Sequence, residues 1–239
     1  MHTQQITKKL QLPFTFDEAQ LLSSLSALMQ DYWTPHFNTG GYSGDWKAIP
    51  LYSQDGTVDN IFANPEYSGD LKETEALKKS PYFRKVINTF KCRILSARLL
   101  RLGVGAEIKP HTDHELGYEN DNFRIHIPII TNDRIQFILD GEQLAMKPGE
   151  CWYTNVNYVH SVKNNSNQDR VHLVIDYERN EWSDQLFFSL APADSFKPEP
   201  KQEESPEQLK LIIAELKRQN QPYVEPLIKE LEEKLQRAK

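Results

Sequence analysis

Between Lys109 and Asp176 the chain reads Pro110-His111-Thr112-Asp113, then Phe123-Arg124-Ile125-His126-Ile127-Pro128, then Tyr158-Val159-His160, and finally Arg170-Val171-His172-Leu173-Val174-Ile175-Asp176. In extended chain, alternate side chains fall on opposite faces. Arg124, His126 and Pro128 therefore share one face, and Ile125, Ile127 and Ile129 the other. In the last segment Arg170, His172, Val174 and Asp176 oppose Val171, Leu173 and Ile175. Each strand carries an Arg-x-His pair on one side and branched aliphatics on the other. This predicts a pocket lined by the polar rows, with a plain solvent-facing surface as the alternative.

Working outward, the alternation continues in short pieces. Arg98-Leu99-Leu100-Arg101-Leu102 reads as a strand stopped by Gly103-Val104-Gly105, and further strands are expected over 123–130, 134–139, 142–147, 150–155, 160–164 and 170–177. Asp140-Gly141 is a hairpin signal, and Lys147-Pro148-Gly149 a turn. Many short strands with no long helix between them predict an antiparallel sandwich or barrel. Upstream, residues 7–12 suit an edge strand. Thr15-Phe16-Asp17-Glu18 reads as a capping box opening a helix over about 17–30, with Leu21, Leu22, Leu25, Leu28 and Met29 at helical spacing. Asp31 to Ala63 is aromatic and glycine-rich, an ordered loop or lid with one short strand near Lys47–Leu51, and His36 within it reads as a loop histidine. Residues 69–79 look helical, and Ser80-Pro81 opens a second helix to about Phe90.

The expected organisation is one β domain over 1–190, with its helical part at about 15–90 and a catalytic core at about 91–182. A polar, proline-containing linker over 191–205 and a helical tail over 206–239 follow. In the tail, Leu209, Ile212, Ile213 and Leu216, then Leu227, Ile228, Leu231 and Leu235, make apolar stripes on either side of a break at Gln219–Pro222. This is a helical hairpin that docks on the core or pairs two copies as a homodimer.

The 239 residues are 38% hydrophobic and 10% aromatic, enough for a buried core, and the formal charge of −6 argues against nucleic acid as a partner. Two cysteines, Cys92 and Cys151, without CxxC spacing, point to a reducing compartment. No apolar run long enough to cross a membrane is present, so a cytoplasmic protein is expected.

His111-x-Asp113 followed by His160 has the composition of a facial triad: two imidazoles and a carboxylate on a mononuclear non-haem iron(II), with three coordination positions left open. His-x-Asp alone is a weak signal. Here the pair stands just beyond a strand and a glycine turn, and both side chains of the extended pair reach one side. Arg170 offers a rigid cationic fork for a dicarboxylic acid. Two histidines and a carboxylate also suit a structural zinc, although no fourth ligand stands near and Arg170 would go unexplained. Two further readings remain: a cupin-type metal-dependent isomerase or non-catalytic ligand-binding protein, and an interaction protein working through its tail.

The run His111-x-Asp113…Arg124-Ile-His126-Ile-Pro128…Gly149-Glu150-Cys151-Trp152-Tyr153…His160-Ser-Val…Asn164…Arg170-x-x-Leu173-Val-Ile-Asp176 resembles the aspartyl/asparaginyl β-hydroxylase family, nearest its bacterial proline hydroxylase branch. The likeness spans roughly Trp46 to Trp182 and includes Trp46-Lys47-x-Ile49-Pro50-Leu51; it leaves out the tail. It implies a double-stranded β-helix (a cupin-like jelly-roll) with N-terminal covering helices, holding Fe(II) and using 2-oxoglutarate and O2 to hydroxylate a small amino-acid substrate. By position, His111, Asp113 and His160 would ligate the iron. Arg170 would bind the distal carboxylate of 2-oxoglutarate, with Arg124 as a second cosubstrate-contacting arginine and His126 as its neighbour. The animal β-hydroxylases have glycine where this chain has Asp113, so the carboxylate fits the proline hydroxylase branch.

Overall fold

The computed structural model describes residues 6–28, 32–62, 67, 69–198, 206–219 and 225–237. Met29 and Gln30 of the first expected helix, the end of the 31–63 stretch, residues 199–205 of the expected linker and the break at 220–222 lie outside them. Chain contacts divide the molecule into two compact units, Met1–Pro198 and Glu199–Lys239. The division falls inside the segment read as linker.

In the first unit, β1 (Lys9–Thr15), α1 (Glu18–Ser26), β2 (Thr34–Pro35), β3 (Tyr42–Ser43), β4 (Trp46–Ser53), β5 (Lys72–Glu73), α2 (Glu75–Lys78) and α3 (Pro81–Ile87) precede the main run of strands. Then come β6 (Ile94–Leu102), β7 (Glu107–His111), β8 (Asn122–Ile130), β9 (Ile135–Leu139), β10 (Glu142–Gln143), β11 (Glu150–Thr154), β12 (His160–Asn164), β13 (Arg170–Glu178) and α4 (Glu181–Phe188). Every pairing is antiparallel. The large sheet runs β1-β11-β8-β13-β6-β4-β2 with β5 on β4, and the small one β10-β9-β12-β7-β3. Strands β6 to β13 thus divide four and four, β11-β8-β13-β6 facing β10-β9-β12-β7. That is the double-stranded β-helix.

The large sheet has two different faces. Outward, Leu99, Ile125, Ile127, Leu173 and Ile175 join Leu21, Leu25 and Leu28 of the first helical segment and Phe83, Val86 and Ile87 of α3 in the main core. Each such side chain contributes about 1.5–3 kcal/mol on burial. Between the sheets, Leu102, Ile108, Phe137, Leu139 and Val162 form a smaller apolar cluster. The β9–β10 hairpin turns on Asp140 and Gly141, both with positive φ (48° and 79°), as the Asp-Gly pair predicts.

Several boundaries differ from expectation. Helix α1 is capped by Asp17, whose carboxylate accepts from Gln20 N at 2.8 Å; Thr15 is still in β1, so the capping box does not form. The segment 69–79 is helical only at Glu75–Lys78, because the Thr74 hydroxyl donates to Pro50 O at 2.8 Å and ties the chain to β4. The region 15–90 is therefore mixed rather than helical, and Trp46–Ser53 is a full strand of the large sheet. The strand expected at 142–147 stops at Gln143, after which Leu144 and Met146 turn into the space between the sheets. Helix α4 was not expected, although Asn180 and Ser183 form a capping box at its start. The linker also begins ordered: Ala193–Phe196 is a 3-10 turn that buries Phe196. In the second unit α5 (Pro206–Gln219) and α6 (Glu225–Arg237) are joined by an ion pair, Lys217 to Glu232, at 2.6 Å.

Candidate active site

The site forms where β7 ends and β12 begins. These strands are antiparallel neighbours, and their register sets His111 opposite His160, with ring centroids 4.2 Å apart. Asp113 lies just past β7, its backbone N–H donating to Val156 O at 2.9 Å. Single donor atoms from His111, Asp113 and His160 all lie within 4.8 Å of one another. The sheet pairing brings together what the sequence separates.

The orientation of each donor follows from its hydrogen bonds. His111 Nδ1 is 2.8 Å from Lys109 O, and His160 Nδ1 is 3.1 Å from Tyr158 O. A carbonyl can only accept, so each Nδ1 carries the proton and each Nε2 keeps its lone pair. Burial, reinforced by His111, pushes His160 down to about 4, so its ring is neutral at neutral pH. Burial alone would raise Asp113, but Arg124 above all, then His160 and His111, outweigh it and hold the carboxyl at about 2. Asp113 Oδ2 accepts from Arg124, while Oδ1 lies 3.7 Å from His111 Nε2. Two imidazole lone pairs and an ionised carboxylate oxygen, converging within 4.8 Å, fit a divalent ion of the iron or zinc type.

A cavity of about 470 Å³ opens from these three residues along the inner face of the large sheet. Arg170 reaches it from β13 and is 2% exposed. One Nη lies 2.8 Å from His172 Nδ1, while its Nε has no partner, and burial alone pushes its pKa down. No carboxylate pairs with it among the described residues. Neither nitrogen of His126, nor Nε2 of His172, has a partner. Burial, then the charge of Arg170, holds both rings well below 6.5 and so neutral. Burying a guanidinium without a counter-charge costs several kcal/mol, and an incoming anion removes that penalty. This end of the cavity has the charge and the free donors to take an anion.

Of the residues picked from sequence, His111, Asp113 and His160 converge, and Arg170 and His126 line the same cavity. Arg124 lines the same cavity, with its guanidinium engaged by two carboxylates. Its Nε and Nη2 grip Asp176 at 2.7 and 3.0 Å, and its Nη1 donates to Asp113. Asp176 lines the cavity from the polar row of β13, as the alternation predicts. Two cavity residues, Arg98 on β6 and His36, carried no site reading. His36 is no bare loop residue: it is buried and stacked on Trp46 at 3.5 Å, and burial, then Arg98, pushes it down to about 4. Nothing local signals that stacking, because β2 meets β4 only through the sheet.

The sequence profile described as Aspartyl/Asparaginyl beta-hydroxylase matches residues 16–180. An L-proline cis-4-hydroxylase of Rhizobium meliloti (strain 1021) is 27% identical over 165 residues, 68% of this chain and 58% of that protein. An L-proline cis-3-hydroxylase of a Streptomyces species is 31% identical over 140 residues, 56% of this chain and 47% of that protein. The chain thus spans about half the length of these curated relatives. Among solved structures, an oxidoreductase of the 2OG-Fe(II) oxygenase family from Burkholderia pseudomallei is 15% identical with a TM-score of 0.49, over 73% of this chain and 87% of that one. Among the described residues no helix is long and apolar enough to cross a membrane.

Proposed function

The chain belongs to the aspartyl/asparaginyl β-hydroxylase family, and from that premise we propose that it is an Fe(II)- and 2-oxoglutarate-dependent dioxygenase. Its reaction hydroxylates an unactivated C–H of a small amino acid, free and proline-like or carried as an aminoacyl or peptidyl residue. The observation that carries this reading is Arg170: a buried guanidinium with an open Nε and no carboxylate partner among the described residues, facing the same cavity as His111, Asp113 and His160. A purely structural zinc has no use for such a group, and a cupin-type isomerase would keep the histidines without needing Arg170 as a carboxylate anchor.

In this reading, His111 Nε2, Asp113 Oδ1 and His160 Nε2 would hold the metal ion. Arg170 would take the far carboxylate of 2-oxoglutarate through parallel N–H donors, and the neutral rings of His126 and His172 beside it would add no charge. When bound, Fe(II), 2-oxoglutarate and O2 supply the oxidation, one oxygen atom entering the C–H as hydroxyl and the other entering succinate as CO2 leaves. The stacked rings of His36 and Trp46 wall the cavity, where they would limit water around a bound substrate. A cytoplasmic setting fits Cys92 and Cys151, both unpaired thiols.

The test is succinate release with Fe(II), 2-oxoglutarate and ascorbate, across a panel of free and N-blocked amino acids. Succinate that rises with one amino acid, matched one-to-one by hydroxylated product, is expected. No succinate above the metal-free blank, with or without any amino acid, would refute the cosubstrate.

A further inference from the structure

We propose that Arg124 and Asp176 are positioning residues for the metal-binding carboxylate, holding Asp113 so that its Oδ1 faces the two histidines. The inference rests on the metal site proposed above. Arg124 on β8 stands opposite Asp176 on β13 in the sheet register. Its Nε and Nη2 take one carboxylate oxygen each, and both side chains are buried, at 10% and 4% exposure. That two-toothed grip fixes the plane of the guanidinium, because its fork cannot rotate without losing a bond. Nη1 is then aimed at Asp113 Oδ2.

Asp113 needs this help. It lies beyond β7, its side chain is a third exposed, and its backbone N–H bond to Val156 does not set the carboxylate torsion. With Oδ2 tied to Arg124, Oδ1 is the oxygen left for a metal. Arg98, 3.8 Å from Asp176 Oδ2, adds a second cation. The row Arg98, Asp176, Arg124, Asp113 therefore alternates charge, and Asp176 is held from both sides.

Positioning and simple electrostatics predict different outcomes. A cation beside a metal site repels the metal, so by charge alone removing Arg124 would tighten binding. By positioning it would loosen binding, and partners that orient a ligand from outside typically command about 10–100-fold in affinity. The probe is Co(II), titrated into the metal-free 239-residue chain and followed by its visible absorption, for wild type, Arg124→Gln, Arg124→Lys and the double variant Arg124→Gln/Asp176→Asn. The double variant replaces an ion pair with an amide pair and leaves net charge unchanged, although Arg98 loses the Asp176 carboxylate beside it.

We expect Co(II) affinity to fall about 10–100-fold in Arg124→Gln and in the double variant, with an altered absorption band and an unchanged circular dichroism spectrum. Arg124→Lys, which keeps the charge but loses the fork, should also bind more weakly; it decides the matter if the neutral variants do not fold. Wild-type affinity and band shape in a folded double variant, or in Arg124→Lys, would overturn the inference. If His111→Ala binds Co(II) as tightly as wild type, the metal site itself fails, a result distinct from either.

Discussion

On β8 and β13, Ile125, Ile127, Leu173 and Ile175 face outward into the helices, whereas Arg124, His126, Arg170 and Asp176 line the cavity and His172 stands behind Arg170 on the same row. The outer row is apolar, closed and satisfied. The inner row is equally buried, yet it holds an unpaired guanidinium nitrogen and three unpartnered imidazole nitrogens. The outer row stabilises by removing apolar area from water; the inner row destabilises until a ligand arrives. One strand can do both because adjacent residues point to opposite faces. Stability and chemistry are therefore separable residue by residue, and substitution on the two faces should separate them.

The largest effect falls inside. Asp113→Ala should lower turnover by more than about 100-fold, beyond what residues behind the ligands command, while the metal-free protein still folds with an unchanged circular dichroism spectrum. Equal activity in the two proteins would remove Asp113 from the ligand set. The outer face should give the mirror image. Leu173→Ala opens a cavity in the main core and should cost about 2–5 kcal/mol in urea unfolding, with activity per folded molecule retained. If it lost activity without losing stability, the two faces would not be separable.

Acid should attack the inner face first. His36 and His160 stand at about 4 in the fold, against about 6.5 when unfolded. Between those values the unfolded chain binds protons that the folded chain does not. Stability is thus fully present above pH 6.5 and falls toward pH 4, by at most about 3 kcal/mol for each histidine. Asp113, held at about 2 against 3.8, works in the same direction but below that window. Urea midpoints of the metal-free protein across pH 4–7 check this. Leu173→Ala should displace the whole curve and leave its slope unchanged.

Much of this arrangement is legible in the sequence because period two is local. The alternation in 123–130 and 170–177 separates the two faces, Asp140-Gly141 marks its hairpin, and the 160–164 strand has the expected bounds. The partner of Arg124 is not legible. Alternation says only which face a side chain takes, while the pairing of Arg124 with Asp176 depends on the register between strands far apart in the chain. His36 illustrates the same limit, since its partner Trp46 is reached through the sheet. The 69–79 segment fails for a related reason: its helical propensity yields to the Thr74 bonds that hold it against β4.

The central claim is that the open guanidinium of Arg170 serves the distal carboxylate of 2-oxoglutarate. Arg170→Lys keeps a cation but loses the fork, and the charge-assisted bonds at stake are worth about 1.5–3 kcal/mol. Titrating 2-oxoglutarate into the Fe(II)-loaded variant, and following the metal-to-ligand absorption band, should give an affinity about 10–100-fold below wild type with Fe(II) binding unchanged. Wild-type affinity for 2-oxoglutarate in that titration would contradict the account.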